Sequence, residues 1–298
     1  DETLLCVTEQ NQRIALVLAG AYVGSVYERS QGRLFTNGIS VPRLMRNMVE
    51  MLDEQGELEG RTLGIIRADM ARDDEASRDL RSALEAKGYS VTEDVAMRCE
   101  ANRCEHADIA VRRLATAGVD AVFSFLGPVT YPAFVGEAGA QGFDPQWFSS
   151  DYENQVLDTT AKFMEGVAGH YDGAIGTTAT LDTFEPEGPF TDCNRRFSEA
   201  TGVEYEFASD AWQAVGNSCE IIERIARVIE AVDEAGRPLT QQTFIEQMRT
   251  ERVRMGDREG SFGPDKHDAY DVLELRRFGA DCVCWRSIEG TRGTDPEV

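Results

Sequence analysis

Several absences bound this 298-residue chain before any motif is read. No run approaches the roughly 20 apolar residues of a membrane-spanning helix. Histidine occurs three times, at His106, His170 and His267, each in a different segment, which leaves a Ser-His-Asp arrangement unsupported. The P-loop pattern G-x-x-x-x-G-K-[ST], the nucleophile elbow G-x-S-x-G and the dinucleotide fingerprint G-x-G-x-x-G are all missing. Bases are scarce against acids: 30 Lys and Arg face 53 Asp and Glu, a formal net charge of −23. Nucleic acid, whose phosphates need clustered Lys and Arg, is excluded as a partner, and so is adsorption to anionic lipid. The excess acid reads as a solvated surface that keeps the protein soluble.

Cysteine is not scarce. Seven residues, Cys6, Cys99, Cys104, Cys193, Cys219, Cys282 and Cys284, lie at spacings that do not suit zinc. Disulfides in an oxidising compartment fit better. Cys99 with Cys104 would close a strand-to-helix loop, and Cys193 with Cys219 would tie two helices. In the chain-entropy model these closures contribute roughly 2 and about 3 kcal/mol. Cys282 and Cys284 read as part of one strand, too close for a comfortable bridge, so one is expected to stay reduced or to find Cys6. The odd count points to a partner outside the chain.

The organisation is α/β. Strands are expected over 12–20, 62–66, 89–96, 120–126, 146–149 and 173–177, alternating with helices over 41–54, 73–87 and 106–117. Such a rhythm predicts a parallel sheet flanked by helices, with its ligand in the loops at the carboxyl ends of the strands. A Glu-, Gly- and Pro-rich stretch at 184–189 marks a linker. Helices follow over 190–201, 209–233 and 240–249, the middle one carrying Ala214, Cys219, Ile222, Ile225, Ala226 and Ile229 at helical spacing. Strands return at 269–275 and 282–285, and the tail from Gly290 is expected to fray.

The strand-end loops offer binding groups rather than catalytic ones. They hold Asp69 and Met70, then Gly127, Val129, Thr130 and Tyr131, then Asp151 and Tyr152, then Thr177. Asp151 could hold a ligand ammonium through a charge-assisted hydrogen bond, or cap a helix over 152–163; the two are not exclusive. Asp69 and Asp73 lie where magnesium-dependent phosphoryl enzymes place carboxylates, but Asp73 and Asp74 better suit capping the start of the next helix. No catalytic residue, metal site or cofactor is assigned.

One resemblance covers roughly residues 30–285. It rests on the order and spacing of Leu58-Glu-Gly-Arg-Thr-Leu-Gly-Ile-Ile66, Leu84-Glu-Ala-Lys-Gly88-Tyr-Ser-Val91, Leu114 to Val122, Ala138-Gly-Ala-Gln-Gly142-Phe and Ala235-Gly-Arg-Pro-Leu-Thr240. In these the chain resembles the type 1 periplasmic-binding-protein fold, within it the leucine-binding-protein-like branched-chain amino-acid group that feeds ABC permeases. The resemblance implies two lobes closing like a clamshell. Lobe 1 would be 1–60 and 182–260, partial because its first elements and carboxylate-holding contacts precede residue 1. Lobe 2 would be 61–181 and 261–298. In that family ligand contacts come after the first strand of lobe 2, here Asp69 and Met70, from the loop of Gly127, Val129 and Thr130, and from an acidic residue near Asp151. Tyr152 and Thr177 join the expected site from their strand-end loops. The chain starts at Asp1 without Met, and the expectation is that a leader has been removed or that the chain is a fragment of a longer one.

The implied function is a non-catalytic, secreted solute-binding lipoprotein. It would deliver an amino acid or similar small polar ligand to a membrane permease, anchored by lipid through a segment missing here. The alternatives are a ligand-sensing domain of a receptor and a metal-dependent α/β enzyme using Asp69 and Asp73.

Overall fold

The computed structural model describes residues 2–17, 20–100, 103–179, 187–207, 209–255 and 258–295. After a short helical stretch at Glu2–Leu5, the elements run β1 (Ala15–Val17), α1 (Gly24–Ser30), β2 (Leu34–Thr36), α2 (Val41–Glu54), β3 (Leu63–Ala68), α3 (Ala71–Ala86), β4 (Val91–Met97), α4 (Ala107–Thr116), β5 (Ala121–Phe125), α5 (Tyr131–Ala140), β6 (Gln146–Ser150) and β7 (Ile175–Thr178). Then come α6 (Pro189–Thr201), α7 (Asp210–Glu234), α8 (Gln241–Met248), β8 (Arg252–Met255), β9 (Arg258–Ser261), β10 (Val272–Gly279), β11 (Cys284–Ser287) and β12 (Gly293–Thr294).

The chain divides into two compact units. The first comprises residues 1–20, 25–39 and 181–272; the second comprises 21–24, 40–180 and 273–298. The sequence reading cuts the chain elsewhere, at 60/61 and 260/261. The difference has a packing cause. The apolar face of α2, with Leu44, Met45, Met48 and Leu52 buried, lies against α3, and Tyr89 Oη donates to Asp53 at its end, so residues 40–60 go with the second unit. Residues 261–272 stay with the first because Ala269 N donates to the carbonyls of Thr36 and Gly38 at 2.9 and 3.0 Å.

In the second unit an eight-stranded sheet runs β11-β10-β7-β6-β5-β3-β4, with β12 added on β10. The five strands from β4 to β7 are mutually parallel, and β10 and β11 are antiparallel additions. Central strands read as apolar runs because helices cover both faces: all five residues of β5 are buried, as are Leu63, Ile65 and Ile66 of β3. Gly88 and Gly118 end α3 and α4 in the left-handed conformation, at φ +86° and +73°. The core beneath gathers Leu114, Val122, Phe134 and Trp147. Asp295 is buried and ion-paired to Arg43 at 2.9 Å and Arg46 at 3.3 Å on α2, with Asn47 donating at 3.0 Å. The tail is therefore anchored through 295 and does not fray there.

In the first unit β1 and β2 form a parallel pair, β8 and β9 an antiparallel one. Phe35 meets Phe262 edge-on at 5.4 Å and stacks on His267 at 4.7 Å. Helices α6 and α7 pack together.

Cys99–Cys104 and Cys193–Cys219 are bridged as expected, and Cys6 is free. Cys282 and Cys284 are also bridged, against expectation, with their Cα atoms 5.2 Å apart. Strand β11 begins only at Cys284, after a turn in which Val283 adopts φ +51°, and that turn brings the pair within disulfide reach.

Candidate ligand-binding site

Three strand ends of the second unit build a pocket of about 360 Å³ at the carboxyl edge of the sheet. From the end of β3 come Ala68 and Met70, followed by Arg72 and Asp73 in the first turn of α3. The end of β5 gives Phe125 and the loop Gly127, Pro128, Val129 and Thr130. The turn after β6 adds Glu153. Met70 and Val129 are both 44% exposed, so the rim is apolar while the interior carries charge.

The charged groups are linked. Arg72 Nη2 lies 2.7 Å from Glu153 Oε1, and Arg72 Nε lies 3.6 Å from Asp73 Oδ1. Asp73 is buried, and its Oδ1 accepts a hydrogen bond from the Tyr152 hydroxyl. Burial raises the Asp73 carboxyl above the ordinary carboxylate range, against the opposing pull of Tyr152 and Arg72. Burial likewise raises Glu153, with Arg72 opposing and Asp73 adding to it. Desolvation, then the Asp73 charge, pushes the Tyr152 phenol far up, which keeps it a neutral donor.

The structure brings four of the residues singled out from sequence, Met70, Gly127, Val129 and Thr130, into the lining of this pocket. Thr130 Oγ1 donates to Gly127 O at 3.0 Å and shapes the loop. Asp151 and Tyr152 stand behind the lining. Asp151 Oδ2 accepts from Ala179 N at 2.6 Å, and Asp151 N donates to Thr177 O at 3.1 Å, tying the end of β6 to that of β7. Asp151 makes no capping bond, because the chain after it first forms a short turn, Tyr152–Asn154, with Glu153 and Asn154 left-handed at φ +59° and +55°, and helix resumes only at Asp158–Ala161. The Tyr152 ring meets Phe125 edge-on at 5.6 Å. Thr177 is buried in β7, and its Oγ1 has no hydrogen-bond partner among the described residues. Asp69 is exposed and is not part of the lining; its N–H donates to Met97 O at 2.7 Å.

Arg72, Phe125 and Glu153 are pocket residues that sequence reasoning did not select. Arg72 could have been found from its place in the first turn after a strand. Glu153 had no signal, since no glycine marks the left-handed turn that carries it. Among the described residues no group of three or more His, Cys, Asp or Glu could hold a metal ion.

No curated protein matches the chain by sequence. Solved structures match in fold. A branched-chain amino-acid ABC transporter protein from Thermus thermophilus with bound valine superposes with a TM-score of 0.72 at 12% identity, over 98% of this chain and 75% of that one. A leucine-binding protein from Thermotoga maritima gives 0.69 at 12% identity, over 98% and 76%. An ABC transporter solute-binding protein from R. palustris in complex with 4-hydroxybenzoate gives 0.68 at 15%, over 98% and 74%. A family profile described as a periplasmic binding protein matches residues 7–275. The match spans most of the chain and agrees with the mostly parallel sheet flanked by helices, so the chain belongs to the periplasmic binding protein family, with the type 1 fold.

Proposed function

We propose that this chain is a non-catalytic extracytoplasmic solute-binding protein that hands a small polar organic molecule to an ABC permease. The observation that carries the reading is the pocket at the carboxyl edge of the sheet, with an apolar rim, an aromatic wall and a few convergent polar groups. That composition is what small-molecule sites use: apolar surface for affinity, a few polar groups for orientation. The family membership supports a solute as ligand, and the structural neighbours carry valine in one case and 4-hydroxybenzoate in another. An amino acid or an aromatic acid is therefore the proposed ligand class. Met70, Val129 and Thr130 would touch it, Arg72 and Glu153 would orient it, and Tyr152 and Asp151 would hold the walls. The two compact units would be the two lobes. Three bridged cysteine pairs support an oxidising location outside the cytoplasm; a lipid anchor is part of the same proposal.

Calorimetric titration against a panel of amino acids and hydroxybenzoates tests it. Saturable heat with at least one solute is expected, and Arg72→Ala should weaken that binding about tenfold or more, the loss of one charge-assisted hydrogen bond. Absence of binding across both classes would overturn the reading.

A further inference from the structure

The three bridges are built differently. Cys99 and Cys104 face each other as a register pair across the two-residue strands Cys99–Glu100 and Arg103–Cys104. Cys193 is buried where α6 and α7 pack. Cys282–Cys284 closes over one residue, and Cys282 is exposed. The residue inside that loop is Val283, at φ +51°. A left-handed conformation crowds the Cβ of any L-residue, and a β-branched side chain makes it an outlier. The bridge closes over this crowded turn, so reduction removes one of the constraints that keep Val283 left-handed. Exposed or strained bridges are the ones that exchange with thiols, whereas buried ones resist.

We propose that Cys282–Cys284 is a reversible thiol-exchange site, whose co-reactant is a thiolate from a small thiol or a protein dithiol. This stands apart from the solute-binding reading. The incoming thiolate attacks the exposed Cys282 sulfur; the S–S bond breaks, and its electron pair leaves on the Cys284 sulfur, which takes a proton from water. A second thiol then attacks the incoming sulfur of the mixed disulfide and releases Cys282. The bridge gains two electrons and two protons, and the two thiols become one disulfide. The surroundings tolerate opening. Strand β11 stays paired to β10 through Phe278↔Trp285 and Arg277↔Arg286, and Trp285 keeps its edge contacts with Tyr171 at 5.8 Å and Phe278 at 5.6 Å. The Arg286–Asp281 ion pair, at 2.7 Å, spans the same turn.

The test is a redox titration of the folded chain in graded glutathione buffers, with a thioredoxin-type dithiol in a parallel arm. Samples are acid-quenched, alkylated and mapped by mass spectrometry, with free Cys6 as the fully labelled reference. Cys282 and Cys284 are expected to label together at a thiol-to-disulfide ratio at least tenfold below that needed for the other pairs. Opening by glutathione assigns a small thiol as co-reactant; opening by the dithiol alone assigns a protein. Val283→Gly relieves the strain, partly offset by the freedom glycine adds to the open form. It should raise the required ratio for this pair about two- to tenfold and leave the others unmoved. Opening of this pair together with or after the others, or a Val283→Gly midpoint that stays put or shifts toward easier reduction, would overturn the proposal.

Discussion

Asp79 sits on α3 one turn after Glu75, half-buried, and its Oδ2 has no hydrogen-bond partner among the described residues. Burial, reinforced by the Glu75 charge and opposed by Arg78, pushes its carboxyl up to about 6 from an ordinary 3.8. An acid whose pKa rises on folding binds more protons in the native state than in the unfolded one. Stability therefore falls as pH rises from about 4 to about 6, and the loss persists above that window. Asp79→Asn removes the buried charge and with it this loss. It should stabilise the protein at pH 7.5 by about 1–2 kcal/mol, allowing for the water that reaches a half-buried carboxylate, and do nothing below pH 4. Urea unfolding at both pH values checks this; an equal gain at both would point to a cause other than ionisation. Asp73 carries a shift of the same sign but is tied to Tyr152 and Arg72, so its replacement would test the pocket rather than the linkage. The bonds of Asp73 and Asp151 were not legible in the sequence. Each depends on which strand ends become neighbours, and on a left-handed turn at Glu153 and Asn154 that glycine does not announce.

Among the elements, the cost of a substitution follows from what packs against the position. A Cβ added at Gly64 of β3 would lie 2.8 Å from Val119 Cγ1 and 2.9 Å from Leu114 Cδ2, closer than real contacts allow. Gly64→Ala should cost about 1–3 kcal/mol by overpacking, read from the denaturation midpoint. Gly166→Ala, where nothing lies within 4 Å, should stay within about 0.5 kcal/mol. Helix α7 shows how far periodicity reaches. Its length was legible, but the stripe of Ile222, Ala226 and Ile229 is its exposed side. The buried side runs through Trp212, Gly216, Arg224, Val228 and Val232, with the fully buried Arg224 paired to Glu220 and Asn37 and lying over the Phe262 ring. An apolar stripe gives a helix its period without saying which partner covers it, and a buried arginine reads as surface until its partners are known. Val228→Ala should accordingly destabilise by about 1.5–3 kcal/mol while Ile222→Ala changes little. Similar losses at both sites in one denaturation series would show that the stripe is covered in solution.

For the whole molecule the dominant quantity is charge. The order of strand-loop-helix units, and with it the fold, was legible because parallel strands buried on both faces write themselves as apolar runs. The cut near residue 181 agrees within one residue, but the one at 60/61 was not legible, since residues 40–60 join the second unit through packing of α2 on α3. Net charge, by contrast, needs no structure: −23 is read directly. The structure adds that many bases are spent locally. Arg67 pairs with Asp74 and Asp94, Arg81 with Asp94, and Arg195 with Asp192 and Glu199. What remains is an excess of carboxylates repelling one another over distances comparable to the molecule. At about 0.01 M salt the Debye length is about 30 Å and that repulsion is nearly unscreened; at 0.15 M it is about 8 Å. Salt also weakens the exposed ion pairs, but each of those is worth only about 0–1 kcal/mol. Relief of long-range repulsion should win, so the melting temperature should rise between these two conditions. A gain of about 1–2 kcal/mol corresponds to roughly 2–8 °C for a chain of this size. Melting curves in sodium chloride and in potassium chloride should superpose, since screening depends on ionic strength and not on the cation. A melting temperature that falls with salt would mean that the local pairs, and not the excess charge, set the electrostatic balance of the fold.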